Sequence, residues 1–314
     1  MTGLSYLQAF VLGLLQGVTE LFPVSSLGHA VLVPAWLGGD WQNLVSQYTT
    51  KESEQSPYLA FIVALHVATA LALVLFYRSD WVAIISAWFR TLRTRKVTTS
   101  TERLAWLLVI GTVPVGITGI ALEHVFRVLF AIPAAAAAFL TLNGFVLLAG
   151  ERLRRRANAR AEVEAAAVGA GATAVTEQRR VVVGGKARQL ETLRYTEAGI
   201  IGIFQTFALL AGISRSGVTM VGGLVRGLNH EDAAKFAFLL ATPVILGAGL
   251  YKLPSLFGSA GANIHGQVLV GALTAGIAAY LSVRFLTRWF TTRTLTPFAV
   301  YCLIFGVASL IRFA

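Results

Sequence analysis

Two stretches of this chain set acidic, basic and hydroxyl side chains inside otherwise apolar sequence. The first carries Gln16, Glu20, Ser25, Ser26 and His29; the second carries Ser214, Arg215, Ser216 and Thr219. A carboxylate at membrane depth is costly and marks a working site. Glu20 is therefore a candidate catalytic group. It is also a candidate ligand for Mg²⁺ or Ca²⁺, cations that favour oxygen donors and bridge protein carboxylates to substrate phosphates. Gln16 lies four residues earlier on the same helix face and offers the same ion an uncharged carbonyl oxygen. Ser25, Ser26 and His29 follow a break at Pro23. If a helix starts near Val24, Ser25 and His29 sit one turn apart, a hydroxyl beside an imidazole, which is a nucleophile–base arrangement. Ser25 also reads as a helix N-cap. Ser26 and His29 are both candidate nucleophiles, and the residues leave that choice open. Arg215 presents a planar fork of donors suited to a phosphate or diphosphate. Ser214, Ser216 and Thr219 add hydroxyls around it, and a helix starting there turns free N–H groups and its positive dipole end toward an anion. Two helix N-termini, one arginine and several hydroxyls make a cradle for a diphosphate. His66, inside an apolar run, reads as a packed polar residue.

The two stretches also match each other. A shift of 189 positions lays Gly13 on Gly202, Gln16 on Gln205, Ser25 on Ser214 and Gly28 on Gly217. A duplication with broken apolar segments points to a site between the halves. Of the 314 residues, 56% are hydrophobic and 13% charged, against about 25% charged in a soluble domain. Several apolar runs reach about 20 residues, the length that crosses a bilayer, and backbone in lipid must be helical. The expected fold is an all-α polytopic membrane protein. It has two inverted-topology repeats, with six transmembrane helices and two re-entrant helical hairpins. The first repeat, 1–150, holds a hairpin over 4–37 (segments 4–22 and 24–37) and spans at 58–77, 104–122 and 132–150. Residues 151–194 form a cytoplasmic linker, Ala/Gly/Val-rich over 157–190. The second repeat, 195–314, holds a hairpin over 196–228 (segments 196–211 and 215–228) and spans at 235–252, 266–286 and 296–312. Lysine and arginine number six in 78–103, ten in 151–195 and three in 284–295, against one, one and none in 38–57, 123–131 and 253–265. This bias puts the first set of loops in the cytoplasm, so the two hairpins enter from opposite sides and their tips can meet. The net charge of +11 sits mostly in loops flanking apolar runs, which argues against a nucleic-acid partner. The lone Cys302 excludes a disulfide framework and a cysteine-ligated metal. The first apolar run lacks a basic start and contains Gln16 and Glu20, unlike a cleavable leader.

Three motifs together resemble the undecaprenyl-diphosphate phosphatase family, the bacitracin-resistance type of integral membrane phosphatase. They are Gln16 with Glu20; Pro23, Ser25, Ser26, Gly28 and His29; and Gly212, Ser214, Arg215, Ser216 and Thr219. The segments around Phe238–Pro243 and Pro297–Tyr301 are similar to that family as well. The resemblance implies hydrolysis of a polyprenyl diphosphate lipid, undecaprenyl diphosphate, to undecaprenyl phosphate and inorganic phosphate, which recycles the lipid carrier of cell-wall synthesis. It implies dependence on a divalent cation, an interdigitated inverted-repeat fold, and a site in the bacterial plasma membrane open to the outer face. The family's arginine motif usually begins Pro-Gly, where this chain has Ala211-Gly212. The family's first motif position takes Glu or Gln, and here it is the uncharged Gln16. The competing expectation is a transporter or flippase of a lipid phosphate or small anion, since broken helices in inverted repeats also build carriers. Besides the lipid bilayer, a second copy of the chain is a candidate partner.

Overall fold

The computed structural model describes residues 4–46, 57–122, 132–171, 190–257 and 264–314. Among these residues every regular element is helical. The α-helices are α1 (Tyr6–Thr19), α2 (Ser26–Leu37), α3 (Gly39–Ser46), α4 (Pro57–Phe76), α5 (Arg78–Thr94) and α6 (Ser100–Ala121). They continue with α7 (Pro133–Gly171), α8 (Tyr195–Thr206), α9 (Arg215–Val225), α10 (His230–Phe257), α11 (His265–Thr292) and α12 (Thr296–Phe313). Six of them, α4, α6, α7, α10, α11 and α12, are long and apolar enough to cross a membrane. Ile117, Ile120, Ile277, Ile304 and Ile311 are each more than 60% exposed. So much isolated apolar surface on the outside of a bundle is the mark of a protein solvated by lipid. The chain is a multi-pass membrane protein.

Helix ends follow local rules. Ser5 caps α1 in a reciprocal box with Gln8, and Thr99 does the same for α6 with Glu102, each satisfying two orphan N–H groups. Several helices run past their apolar stretches. The span expected at 132–150 continues as α7 to Gly171, because alanine, arginine and glutamate propagate a helix as well as leucine does. The linker expected over 157–190 is thus helical as far as Gly171, and residues 172–189 lie outside the described residues. The segment expected as a loop at 78–103 holds α5, and the one at 38–57 holds α3.

Short helices are wedged among the long ones. α1 packs chiefly on α11, and α8 chiefly on α6, so each short first helix lies against a long helix from the other half of the sequence. Glycine makes both approaches possible. A Cβ on Gly13 would collide with the Gly271 carbonyl, and one on Gly202 would collide with the Gly111 carbonyl. Membrane helices associate through such small-residue contacts, since lipid offers no hydrophobic drive between them. The remaining frame is α4 against α10 and α11, and α7 against α12.

Candidate functional site

The chain between α1 and α2 and the chain between α8 and α9 meet inside the bundle. Both following helices are capped alike: Ser25 Oγ accepts from Gly28 N at 3.3 Å, and Ser214 Oγ accepts from Gly217 N at 3.2 Å. These are equivalent pairs under the 189-position shift. Ser25 Oγ also accepts from Gly212 N at 3.1 Å, so one hydroxyl caps one helix and holds the opposite tip. Ser25 stands at φ 71, a left-handed backbone that a non-glycine residue adopts only where surroundings enforce it. Gly212 stands at φ 111, and a Cβ there would strike the Ala136 and Leu140 backbone of α7; only glycine fits.

A residue not anticipated from sequence ties the tips together. Asn143, fully buried in α7, donates from Nδ2 to Pro23 O at 3.0 Å and accepts at Oδ1 from Ser214 N at 3.0 Å. Ser216 Oγ donates to Phe22 O at 3.3 Å and lies 3.1 Å from Ser214 Oγ, adding a second strap.

This scaffold brings Glu20, Ser26 and Arg215 together. Arg215 Nη2 pairs with Glu20 Oε1, and Ser26 Oγ donates to Glu20 Oε2. Gln16 Nε2 donates to the same Oε2 at 3.1 Å, and His66 Nε2 stands 3.4 Å from it. His66 therefore belongs to the site, a role its place in an apolar run did not suggest. Glu20, 8% exposed, meets at once a guanidinium, a hydroxyl, an amide and an imidazole.

His29 is turned elsewhere. Its Nδ1 meets the Ser25 carbonyl at 2.7 Å and its Nε2 meets the Tyr301 hydroxyl at 2.7 Å. The ring lies against both Tyr301 and Phe305, which also stack on each other. The expected pairing of imidazole with the Ser25 hydroxyl is not formed, because both ring nitrogens are taken, by the Ser25 carbonyl and the Tyr301 hydroxyl. Thr219 lies one turn into α9, 1% exposed, and its Oγ1 has no hydrogen-bond partner.

A cavity of about 320 Å³ opens over these groups. Its polar end carries Glu20, Ser25, Ser26, His66, Gln205, Ser214 and Arg215. Its longer wall is aliphatic, from Leu59, Ile62 and Val63 of α4, Val115 of α6, and Val244 and Ile245 of α10. Gln16, His29, Ser216 and Thr219 stand behind the cavity wall rather than in it. An apolar slot ending in an arginine, a carboxylate-bound serine and two helix N-termini suits a molecule with a hydrocarbon tail and an anionic head.

As a metal centre the site is sparse. Glu20 is its one carboxylate, Gln16 turns an N–H toward it, and among the described residues no three His, Cys, Asp or Glu side chains cluster as an ion cage.

The sequence profile described as bacitracin resistance protein BacA matches residues 9–308. The undecaprenyl-diphosphatase 2 of Frankia alni is 61% identical, over 99% of this chain and 98% of its own. The undecaprenyl-diphosphatase of Mycolicibacterium paratuberculosis is 55% identical, over 99% and 98%. That of Acidiphilium cryptum is 41% identical, over 96% of each. This chain belongs to the bacitracin resistance protein BacA family.

Proposed function

We propose that the protein is an undecaprenyl-diphosphatase, a membrane phosphatase that hydrolyses undecaprenyl diphosphate to undecaprenyl phosphate and inorganic phosphate. The observation that carries this reading is the joining of Ser26, Glu20 and Arg215 at the polar end of an aliphatic cavity. In this mechanism the prenyl tail lies along the aliphatic wall. The diphosphate replaces Glu20 as partner of Arg215 and takes N–H groups from the starts of α2 and α9. Glu20 accepts the Ser26 proton as Oγ attacks the terminal phosphorus, and undecaprenyl phosphate leaves. Glu20 passes that proton to the departing undecaprenyl phosphate, then takes a proton from water as the water attacks the Ser26–phosphate bond and returns it to Ser26 Oγ, releasing inorganic phosphate. Catalysis of this kind is mostly positioning and neutralisation of charge. His29 is assigned the task of fixing the Ser25 turn rather than attacking phosphorus, since both ring nitrogens are engaged away from the cavity.

A divalent cation arriving with the diphosphate would be held on the protein side by Glu20; Mg²⁺ in particular is commonly held by one or two carboxylates plus substrate phosphates. Such an ion supplies further neutralisation of phosphate charge. Gln16 is not among its ligands in this arrangement, because the amide presents its N–H.

The topology belongs to the same proposal. Each half contributes one re-entrant hairpin, α1–α2 and α8–α9, and the halves are inverted repeats. The matched caps and the matched Gly13 and Gly202 contacts support this. With the arginine-rich loops in the cytoplasm of a bacterial plasma membrane, the cavity wall at 59–63, 115 and 244–245 falls toward the outer ends of α4, α6 and α10. The site then opens to the outer face.

Phosphate release from undecaprenyl diphosphate by the full-length protein in detergent, beside Ser26→Ala and Arg215→Ala, tests the reading. Release abolished by Ser26→Ala is the expected result. A folded wild type that releases no phosphate, yet moves the lipid across liposomes, would replace the phosphatase with a carrier.

A further inference from the structure

The helix α5 has no part in the site, yet its surface is sharply divided. It begins at Arg78, two residues after α4 ends at Phe76, and it runs to Thr94 before the chain re-enters the bundle at Ser100. A helix placed between two bilayer-crossing helices with such short connections lies at the boundary of the membrane.

Three faces run along it. Ile84, Ala87 and Thr91 form the buried line. The protein grips this side: Asp80 pairs with Lys235 of α10 at 2.7 Å, Trp106 Nε1 of α6 donates to Thr91 Oγ1 at 3.0 Å, and Arg90 stands 3.7 Å from Glu102. Beside it, Val82, Ile85, Phe89 and Leu92 make an apolar line, 71%, 50%, 59% and 46% exposed. Their spacing of three and four residues keeps them on one stripe. The third face carries exposed Ser79, Ser86 and Arg93, and the helix ends in exposed Arg95 and Lys96. The bundle accounts for the first face only.

We propose that α5 is an interfacial helix that docks on anionic phospholipid in the leaflet at its end of the bundle. The apolar stripe enters the acyl boundary, and Arg93, Arg95 and Lys96 reach the headgroup phosphates. An apolar face beside a basic face, on a helix at the membrane boundary, is the arrangement that binds anionic leaflets. Charge selects the occupant. A protein partner for the same stripe would have to be strongly acidic, and this chain, at net +11, makes a poor partner for itself.

The test uses the full-length protein in nanodiscs of phosphatidylcholine alone or with phosphatidylglycerol at roughly 7:3, a fraction that gives an anionic surface. Cysteine is placed at Phe89→Cys or Ser86→Cys and labelled with bimane; Cys302 is buried and escapes labelling. Position 89 should be quenched by acyl-chain nitroxide lipid and position 86 by aqueous iodide. Retention of phosphatidylglycerol by detergent-purified protein, read by native mass spectrometry, should fall about tenfold or more in R93Q/R95Q/K96Q, as three surface charges imply. Iodide quenching of position 89 equal to that of 86 would overturn the proposal. So would unchanged lipid retention in the triple variant. Shielding of position 89 only in discs holding two copies would assign the stripe to a protein interface instead.

Discussion

Replacing Asn143 with leucine keeps the volume of a buried side chain and removes the two bonds by which it joins the tips. Ser214 N loses its acceptor and Pro23 O keeps only the weak thiol donor of Cys302 at 3.8 Å, around a residue that is 0% exposed. A buried group left without a partner costs about 1–3 kcal/mol, so the pair costs about 2–6 kcal/mol at most. Part of this appears as lost stability, and part as the tips drifting relative to each other. Misplacement of about 1 Å in a positioned site lowers turnover about 10²-fold, equivalent to about 2.7 kcal/mol in the barrier. Asn143→Leu is therefore expected to lower kcat/KM for undecaprenyl diphosphate about 10²-fold, with a lower melting temperature in detergent. The assay is phosphate release at a temperature well below that melting point. A variant that keeps kcat/KM within about threefold of wild type, far short of the misplacement penalty, would refute the idea that Asn143 sets the register of the site.

Arg215→Lys keeps the charge but loses the planar fork, and should lower kcat/KM by about 10²-fold or more; phosphate release near the wild-type rate would remove Arg215 from the cradle. His29→Gln and Tyr301→Phe should each reduce activity about tenfold or less, and the double variant should be little worse than His29→Gln, because the two act through one contact. A nucleophilic His29 would instead give complete loss in the first variant and almost none in the second. Chelation should slow turnover while leaving the melting temperature of the substrate-free protein unchanged, since an ion that binds only with substrate stabilises nothing without it; thermal shifts with Mg²⁺ alone would contradict this. Gly13→Val should destabilise the α1–α11 seam by about 1–3 kcal/mol or more, whereas Gly116→Ala, where a Cβ meets open space, should be neutral or slightly stabilising; both are read by thermal unfolding in detergent.

Glu20, Ser26 and Arg215 were legible in the sequence because polar groups stand out in apolar surroundings, and their types suggest one chemistry. The six long helices were legible for the same reason in reverse. Asn143 was not, since its partners lie 120 and 71 residues away and a lone amide in a span carries no spacing signal. His66 was passed over for a similar reason: its charge partner is on another helix. The one-turn spacing of Ser25 and His29 was read correctly as proximity but assigned to the wrong atom, the hydroxyl in place of the carbonyl. The helix α5 was concealed by its own charge, because a density of arginine that marks a loop in a membrane sequence also marks a helix lying along the surface.

The Ser25 hydroxyl, bound both by its own helix and by Gly212 of the opposite tip, has a consequence for how such a chain can change over time. After a duplication, two copies ordinarily drift apart under separate constraints. If the proposed repeats are such copies, one oxygen atom finishes the fold of the first and the turn of the second, so a substitution at either tip is felt by both. The acidic member, Glu20, lies in the first stretch and the basic member, Arg215, in the second, and neither stretch carries the other's charge at the matching position. The two halves are thus inherited as a single unit, and a duplicate of either alone would bring half a site.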